Sequence, residues 1–203
     1  MRSPDPGAWC IMTTEASESM QPVVLVGGKS RRFGRDKLRE PVPGLSGRWL
    51  VDVAIDVLRA EFGSAVSVVG ECDPLVALRA DTVIPDRYPG VGPMGGLLSA
   101  LEHSCGPVLA LPGDVWRIDI DLIRRLRSAA DLNPADDAVL LRTDQVQWCA
   151  GVYRPSLAGV LRTAVASGRY ALRDVLSGAR ITFVDLGESC FEDADRPDDL
   201  RRL

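Results

Sequence analysis

The stretch Pro22-Val23-Val24-Leu25-Val26-Gly27-Gly28-Lys29-Ser30-Arg31-Arg32-Phe33-Gly34-Arg35-Asp36-Lys37 sets a short apolar run against a glycine-rich, basic one. Val23 to Val26 is apolar without a break and mostly β-branched, the pattern of a strand buried on both faces. Gly27-Gly28 interrupts it. Glycines directly after a strand let backbone N–H groups come close to an anion. Ser30 adds a hydroxyl, and Arg32 and Lys37 add cations, the first able to bind phosphate oxygens bidentately and the second acting as a point charge. The spacing is neither that of a Walker P-loop nor G-x-G-x-x-G. A tight turn followed by a solvated basic segment would use the same residues, so at this level a phosphate cradle and a plain turn both stand.

Outward from this stretch, short apolar strands alternate with amphipathic helices. Strands are expected at 66–69, 82–84, 108–111, 138–141, 148–153 and 181–186. Helices are expected at 50–62, 95–103, 120–130, 157–166, 171–176 and 197–203. This alternation indicates an α/β domain with a mostly parallel sheet covered on both faces, a Rossmann-like three-layer α/β/α arrangement. Ligands of such sheets bind beyond the carboxyl ends of the strands. The 203 residues suit one domain, expected at 22–203, behind a flexible N-terminal tail at 1–21 that carries Pro4, Pro6, Gly7 and a polar run. Met12 and Met20 leave open a natural start further in.

The net charge of −4 argues against a nucleic-acid or acidic membrane surface as partner. No apolar run reaches the length of a membrane-spanning helix. Cys10, Cys72, Cys105, Cys149 and Cys190 form no C-x-x-C pair. They are read as structural thiols, and a cytoplasmic location fits them. His103, the only histidine, falls inside a helix. No Ser/His/Asp or Cys/His nucleophile can be assembled from the pattern.

Three further places carry candidate chemistry. Asp86 follows the 82–84 strand and leads through a Gly/Pro-rich loop to Gly95 at a helix start, where free N–H groups attract anions or polar base edges; a long turn capped locally by Asp86 is the alternative. Asp114 follows the 108–111 strand and Pro112-Gly113, a place suited to holding Mg2+ or to closing a turn on its own backbone. Asp193-Ala194-Asp195-Arg196-Pro197 offers carboxylates for a metal, or a cap and first turn for the last helix.

Leu25-Val26-Gly27-Gly28-x-Ser30-x-Arg32-Phe33-Gly34-x-Asp36-Lys37 resembles the L-A-G-G-x-S-x-R-M-G-x-D-K signature of the molybdenum cofactor guanylyltransferases and their relatives in the nucleotidyltransferase superfamily, with Val26 for Ala and Phe33 for Met. The Asp86 to Gly96 segment is similar to the family's acid and G-P-x-x-G loop. Asp193 to Pro197 is similar to its N-x-N-T-P segment, with acids in place of the asparagines. The resemblance implies the nucleotide-diphospho-sugar transferase type of fold. It also implies transfer of GMP from GTP to the terminal phosphate of molybdopterin, with Mg2+ as cofactor and release of pyrophosphate.

By that resemblance Leu25, Val26, Gly27, Gly28, Ser30, Lys37, Asp86, Gly95 and Asp114 bind the nucleotide. Arg32, Lys37 and Asp114 are catalytic, Asp114 and Asp195 hold the metal, and Asp193 and Asp195 face the acceptor. GTP and molybdopterin are the expected partners, together with transient contact to proteins that supply the cofactor or receive the product. The chain departs from the family pattern at Asp114-Val115-Trp116, which lacks a proline, at Gln147-Trp148, where the family has His-Pro, and around Gly70-Glu71, where it has Asn. A cytidylyltransferase for the same cofactor is the nearest alternative. Gly27-Gly28 favours guanine, whereas Gly113-Asp114 leans toward cytosine. Transfer to a sugar or alcohol phosphate, and a non-catalytic nucleotide-binding accessory protein, are the others.

Overall fold

Val23 and Leu25 pack into one half of the core and Val24 and Val26 into the other, in a computed structural model that describes residues 19–27, 36–63, 66–186, 191–194 and 199. The same alternation holds in the neighbouring strands. Val108 and Ala110 face one half and Leu109 and Leu111 the other, as do Ala138 and Leu140 against Val139 and Leu141. A strand that buries both faces must be covered on both. Two layers of helices do this.

The strands are β1 (Gln21–Leu25), β2 (Ser67–Val69), β3 (Thr82–Ile84), β4 (Val108–Pro112), β5 (Val115–Ile118), β6 (Ala138–Arg142), β7 (Val146–Tyr153), β8 (Ile181–Asp185) and β9 (Phe191–Asp193). The helices are α1 (Leu50–Phe62), α2 (Pro74–Ala77), α3 (Pro93–His103), α4 (Ile120–Leu132), α5 (Leu157–Ala166) and α6 (Leu172–Val175). Seven strands form one sheet in the order β3-β2-β1-β4-β7-β6-β8, and β5 and β9 pair apart from it. β7 alone runs against the other six. The helices α1 and α4 cover the Val24 side; α3, α5 and α6 cover the Val23 side.

The chain moves outward from β1 to β2 and β3, then returns to place β4 on the other flank of β1. Loops after β1 and β4 therefore diverge and leave a crevice at the carboxyl ends. The crevice is widened by β7. Leu140 stands opposite Gly151 and Leu141 opposite Gln147, so Trp148, Cys149 and Ala150 bulge out of the ladder. The fully buried Tyr153 ties the bulge down, its hydroxyl donating to the Trp148 carbonyl at 2.7 Å. Gly151 fits where no side chain would: a Cβ there would stand 2.3 Å from the Val139 carbonyl oxygen.

The α/β reading and the order of elements hold. β1 takes in Gln21, and Met20 packs against the core. α3 starts at Pro93 rather than 95, and β7 reaches back to Val146. The expected tail up to residue 18 and the helix at 197–203, apart from Asp199, lie outside the described residues. The β5–β9 pair was not anticipated. It brings the Phe191–Asp193 strand beside the residues that follow β4, with Val115 opposite Asp193.

Candidate active site

Past their last paired residues, β1, β2 and β4 stay bound by backbone. Val26 N–H donates to the Val69 carbonyl at 2.9 Å, and Gly113 N–H to the Leu25 carbonyl at 3.0 Å. Two glycines make this approach feasible. Gly27 and Gly70 both have φ of +121°, and a Cβ on Gly70 would stand 1.5 Å from the Val26 carbonyl oxygen. The result is a cleft of about 760 Å³. Its walls are Leu25 to Gly27 after β1, Val69 to Glu71 after β2, Asp86 after β3, the start of α3, Pro112 to Asp114 after β4, and the β7 bulge. Lys37 and Asp193 also line it.

Lys37 arrives on a 3-10 turn, Lys37–Arg39. Asp36 caps that turn by accepting from Leu38 N–H at 3.1 Å, and buried Leu38 anchors it. The Lys37 ammonium donates to the Asp114 carboxylate and to the Ala194 carbonyl, the latter at 3.3 Å. Ala194 N–H in turn donates to the Asp114 carbonyl at 2.9 Å. The site thus joins three distant pieces of chain: the turn after the first loop, the end of β4, and the end of β9. Trp116 belongs to the core here, packed with Val42, Leu50 and Ala194, and it helps seat that last piece.

Asp114 and Asp193 both act on Cys149. Burial first, then these two negative charges, push its thiol up to about 12. Cys149 is therefore a neutral thiol in the cleft wall and not a nucleophile. Asp86 lines the cleft and also accepts from Tyr88 N–H at 2.8 Å, so the local-cap reading and the cleft-lining reading both hold for it.

Two expectations change. Gly95 is not part of the cleft wall; it is buried under Tyr88, and a Cβ there would stand 2.7 Å from the Tyr88 carbonyl oxygen. Gly96 borders the cleft instead. The start of α3 also offers few amides for a ligand. Proline at 93 has none, and Gly95 and Gly96 N–H both donate to the Gly92 carbonyl, at 2.9 and 3.4 Å. Leu25, Val26, Gly27, Lys37, Asp86, Asp114 and Asp193 are brought together. Gly28, Ser30, Arg32 and Asp195 lie outside the described residues. Gly70, Glu71 and the Trp148 bulge join the cleft without having been picked as site residues. Gly70 carried the same signal as Gly27, a glycine directly after a strand.

The donor set suits a hard divalent cation. Asp114 and Asp193 supply carboxylate oxygens to one cleft, and Mg2+ takes one or two carboxylates and completes its shell with phosphate oxygens and water. Among the described residues no three His, Cys, Asp or Glu side chains cluster as metal ligands.

A mostly parallel sheet, a cleft at its switch point, and a lysine and carboxylates at the cleft floor define the nucleotide-diphospho-sugar transferase type of α/β fold. Residues 22–182 match the model of the MobA-like NTP transferase domain, and the chain belongs to that family of nucleotidyltransferases. It is 32% identical over 170 residues to a Mycobacterium tuberculosis protein named "Probable molybdenum cofactor guanylyltransferase", covering 80% of this chain and 83% of the relative. A relative of the same name from Chloroflexus aggregans is 28% identical over 197 residues, covering 90% and 92%. The solved structure of molybdopterin-guanine dinucleotide biosynthesis protein A from Archaeoglobus fulgidus shares the fold, with a TM-score of 0.71 at 22% identity over 90% of this chain and 96% of that one.

Proposed function

We propose that this protein transfers GMP from GTP to the terminal phosphate of molybdopterin, with Mg2+, releasing pyrophosphate and forming the guanine dinucleotide cofactor. The observation that carries the reading is the meeting of Lys37 with Asp114 on the floor of the cleft, beside Asp193. The names of the relatives support the choice of guanine and of this acceptor.

In this reaction an acceptor phosphate oxygen attacks the α-phosphorus of GTP, and the bond from that phosphorus to the bridging oxygen of pyrophosphate breaks. The nucleophile is already an anion, so no strong general base is required. Neither Cys149 nor the helix-borne His103 is needed in the reaction. The obstacle is the approach of two anions, which positioning and charge neutralisation address. Lys37 presents its ammonium to the phosphates, and Arg32 adds a guanidinium. Gly27 and Gly28 let the backbone lie against the triphosphate. Asp114 and Asp193, with Asp195, would hold Mg2+, which when bound neutralises phosphate charge. Asp86, two strands from β1, lies on the side of the nucleoside.

The protein acts in the cytoplasm in this reading, meeting cofactor-supplying and molybdoenzyme proteins transiently. The test is product analysis with molybdopterin, Mg2+ and either GTP or CTP. A guanine dinucleotide with stoichiometric pyrophosphate is expected. Product from CTP alone would move the activity to cytidylyl transfer, and tight GTP binding without product would leave a nucleotide-binding accessory protein.

A further inference from the structure

The turn that carries Lys37 is held from outside the cleft as well as from within. At its far end the Arg39 guanidinium meets the Asp73 carboxylate at 2.8 Å, across 34 positions of chain. Asp73 ends the loop after β2, just past the cleft-lining Glu71. Its other oxygen accepts from Leu75 N–H at 2.8 Å and caps α2. One ion pair thus joins the two pieces of chain that bring Lys37 and Gly70-Glu71 to the cleft. The Cys72 thiol, raised by burial and then by Asp36 and Asp73, reflects how near the cap of the turn lies to the same loop.

The half-buried Trp49 lies against this pair. The guanidinium carbon of Arg39 is 5.3 Å from its ring centre and that of Arg79 is 4.2 Å, both within cation–π range. Two guanidiniums over one ring repel each other unless each has its own carboxylate. Arg39 has Asp73, and Arg79 has the buried Asp52 at 3.7 Å. The Trp49 backbone is fixed too. Its N–H donates to Asp52 at 2.8 Å, and the residue forms a bridge with Pro41, just after the turn.

We propose that Arg39, held by Asp73 and Trp49, is a positioning residue: it fixes the turn so that the Lys37 ammonium stands at the cleft floor before substrate arrives. The proposal rests on the transferase reading above and adds to it residues outside the cleft. Arg39 is 41% exposed, and exposed ion pairs contribute little to the stability of a fold. What this one supplies is aim. A charge acts fully on a transition state only when it is already in place, and a shift of about 1 Å can cost about a hundredfold in rate. Arginine suits the task, because its planar guanidinium pairs with a carboxylate and stacks on a ring at once, as lysine cannot.

The test uses the full chain, with pyrophosphate release from GTP and molybdopterin as the rate measurement and GTP binding by calorimetry on the same samples. Arg39→Ala is expected to lower kcat about tenfold and to leave GTP affinity within about threefold. Arg39→Lys, which keeps the charge without the planar face, should fall between that variant and the parent. Trp49→Leu should act like Arg39→Ala, and Trp49→Phe, which keeps a ring, should stay within about twofold of the parent. The deciding readout is the cycle with Lys37→Gln. In that background Arg39→Ala should change kcat by less than about twofold, because the group it positions is gone. If Arg39→Ala lowers kcat by the same factor in both backgrounds, or leaves the parent rate unchanged, Arg39 does not position Lys37. GTP binding reports that each variant is folded, and the exposed Arg39 variants decide the question even where Trp49→Leu does not fold. If the parent protein binds GTP but releases no pyrophosphate, the transferase reading fails, and this proposal with it.

Discussion

Lys37 and Asp114, 77 positions apart in the sequence, meet as an ion pair at the base of the cleft, and the same ammonium also donates to the Ala194 carbonyl. The lysine thus occupies one oxygen of the carboxylate that the proposed reaction would use to hold a divalent cation. A cation that binds there competes with the ammonium for the same negative charge, and a triphosphate gives the ammonium another partner.

Manganese binding followed by electron paramagnetic resonance should show this coupling. The ligand-free protein is expected to bind Mn2+ weakly and to bind it about tenfold or more tightly with GTP, within the usual range of coupling energies. Lys37→Gln should bind Mn2+ more tightly than the parent when nucleotide is absent. Equal affinity in the two proteins would mean that Lys37 does not compete for Asp114.

The same substitution should lower turnover about a hundredfold or more, the cost of losing one preorganised charge aimed at a transition state. Steady-state rates of pyrophosphate release measure it. Unchanged turnover would remove Lys37 from the catalytic residues.

Gly70→Ala should unfold at markedly lower urea. The new methyl would overlap the Val26 carbonyl, and a residue with a side chain is strained at a φ of +121°. A loss of about 3 kcal/mol or more is expected. Gly178→Ala, where an added Cβ meets nothing within 4 Å, is the control.

Tyr153→Phe removes the donor that holds the Trp148 carbonyl. The fold should lose about 1 to 3 kcal/mol through that unpaired oxygen. Turnover should fall as well, because the bulge lines the cleft. Paired urea titrations and kinetics separate the two effects.

Cys149 should resist alkylation. Its thiol is raised from an ordinary 9.0 to about 12, so at pH 8 it is protonated, and iodoacetamide should label exposed Cys105 first. The raised value favours the folded state while the thiol is neutral. That contribution is complete below pH 9 and is lost as pH climbs from there toward 12. Mass spectrometry of the labelled peptides checks the order, and rapid labelling of Cys149 at pH 8 in the native protein would contradict it.

Sheet and helices were legible because each strand from β1 to β8, apart from β5, is a run of apolar residues bounded by turn residues, and each long helix repeats its apolar face. Asp114 was legible as chemistry because it directly follows a break in such a pattern, and Lys37 because it ends the basic stretch that follows Gly27-Gly28. The β5–β9 pair was not. Val115–Ile118 and Phe191–Asp193 are too short for a period, and their pairing depends on a contact between remote parts of the chain. The β7 bulge was hidden for a related reason: Trp148 to Ala150 read as strand, and only the register against β6 reveals the extra residues. Gly95 and Gly96 differ by one position on a helix, which rotates one into the core under Tyr88 and leaves the other beside the cleft.

Asp193, the last residue of β9, and Ala194 just after it reach the site on a segment that follows every strand of the main sheet in the chain. During synthesis the sheet, the first loop, Lys37 and Asp114 all leave the ribosome before it. A nascent chain can therefore fold its core and form most of a nucleotide cleft while Lys37 still lacks one of its acceptors and Asp193 is still missing. At about 5 to 20 residues per second, the segment from β4 to β9 takes several seconds to emerge. Translation thus acts as a timer that keeps the site incomplete until β9 has been made.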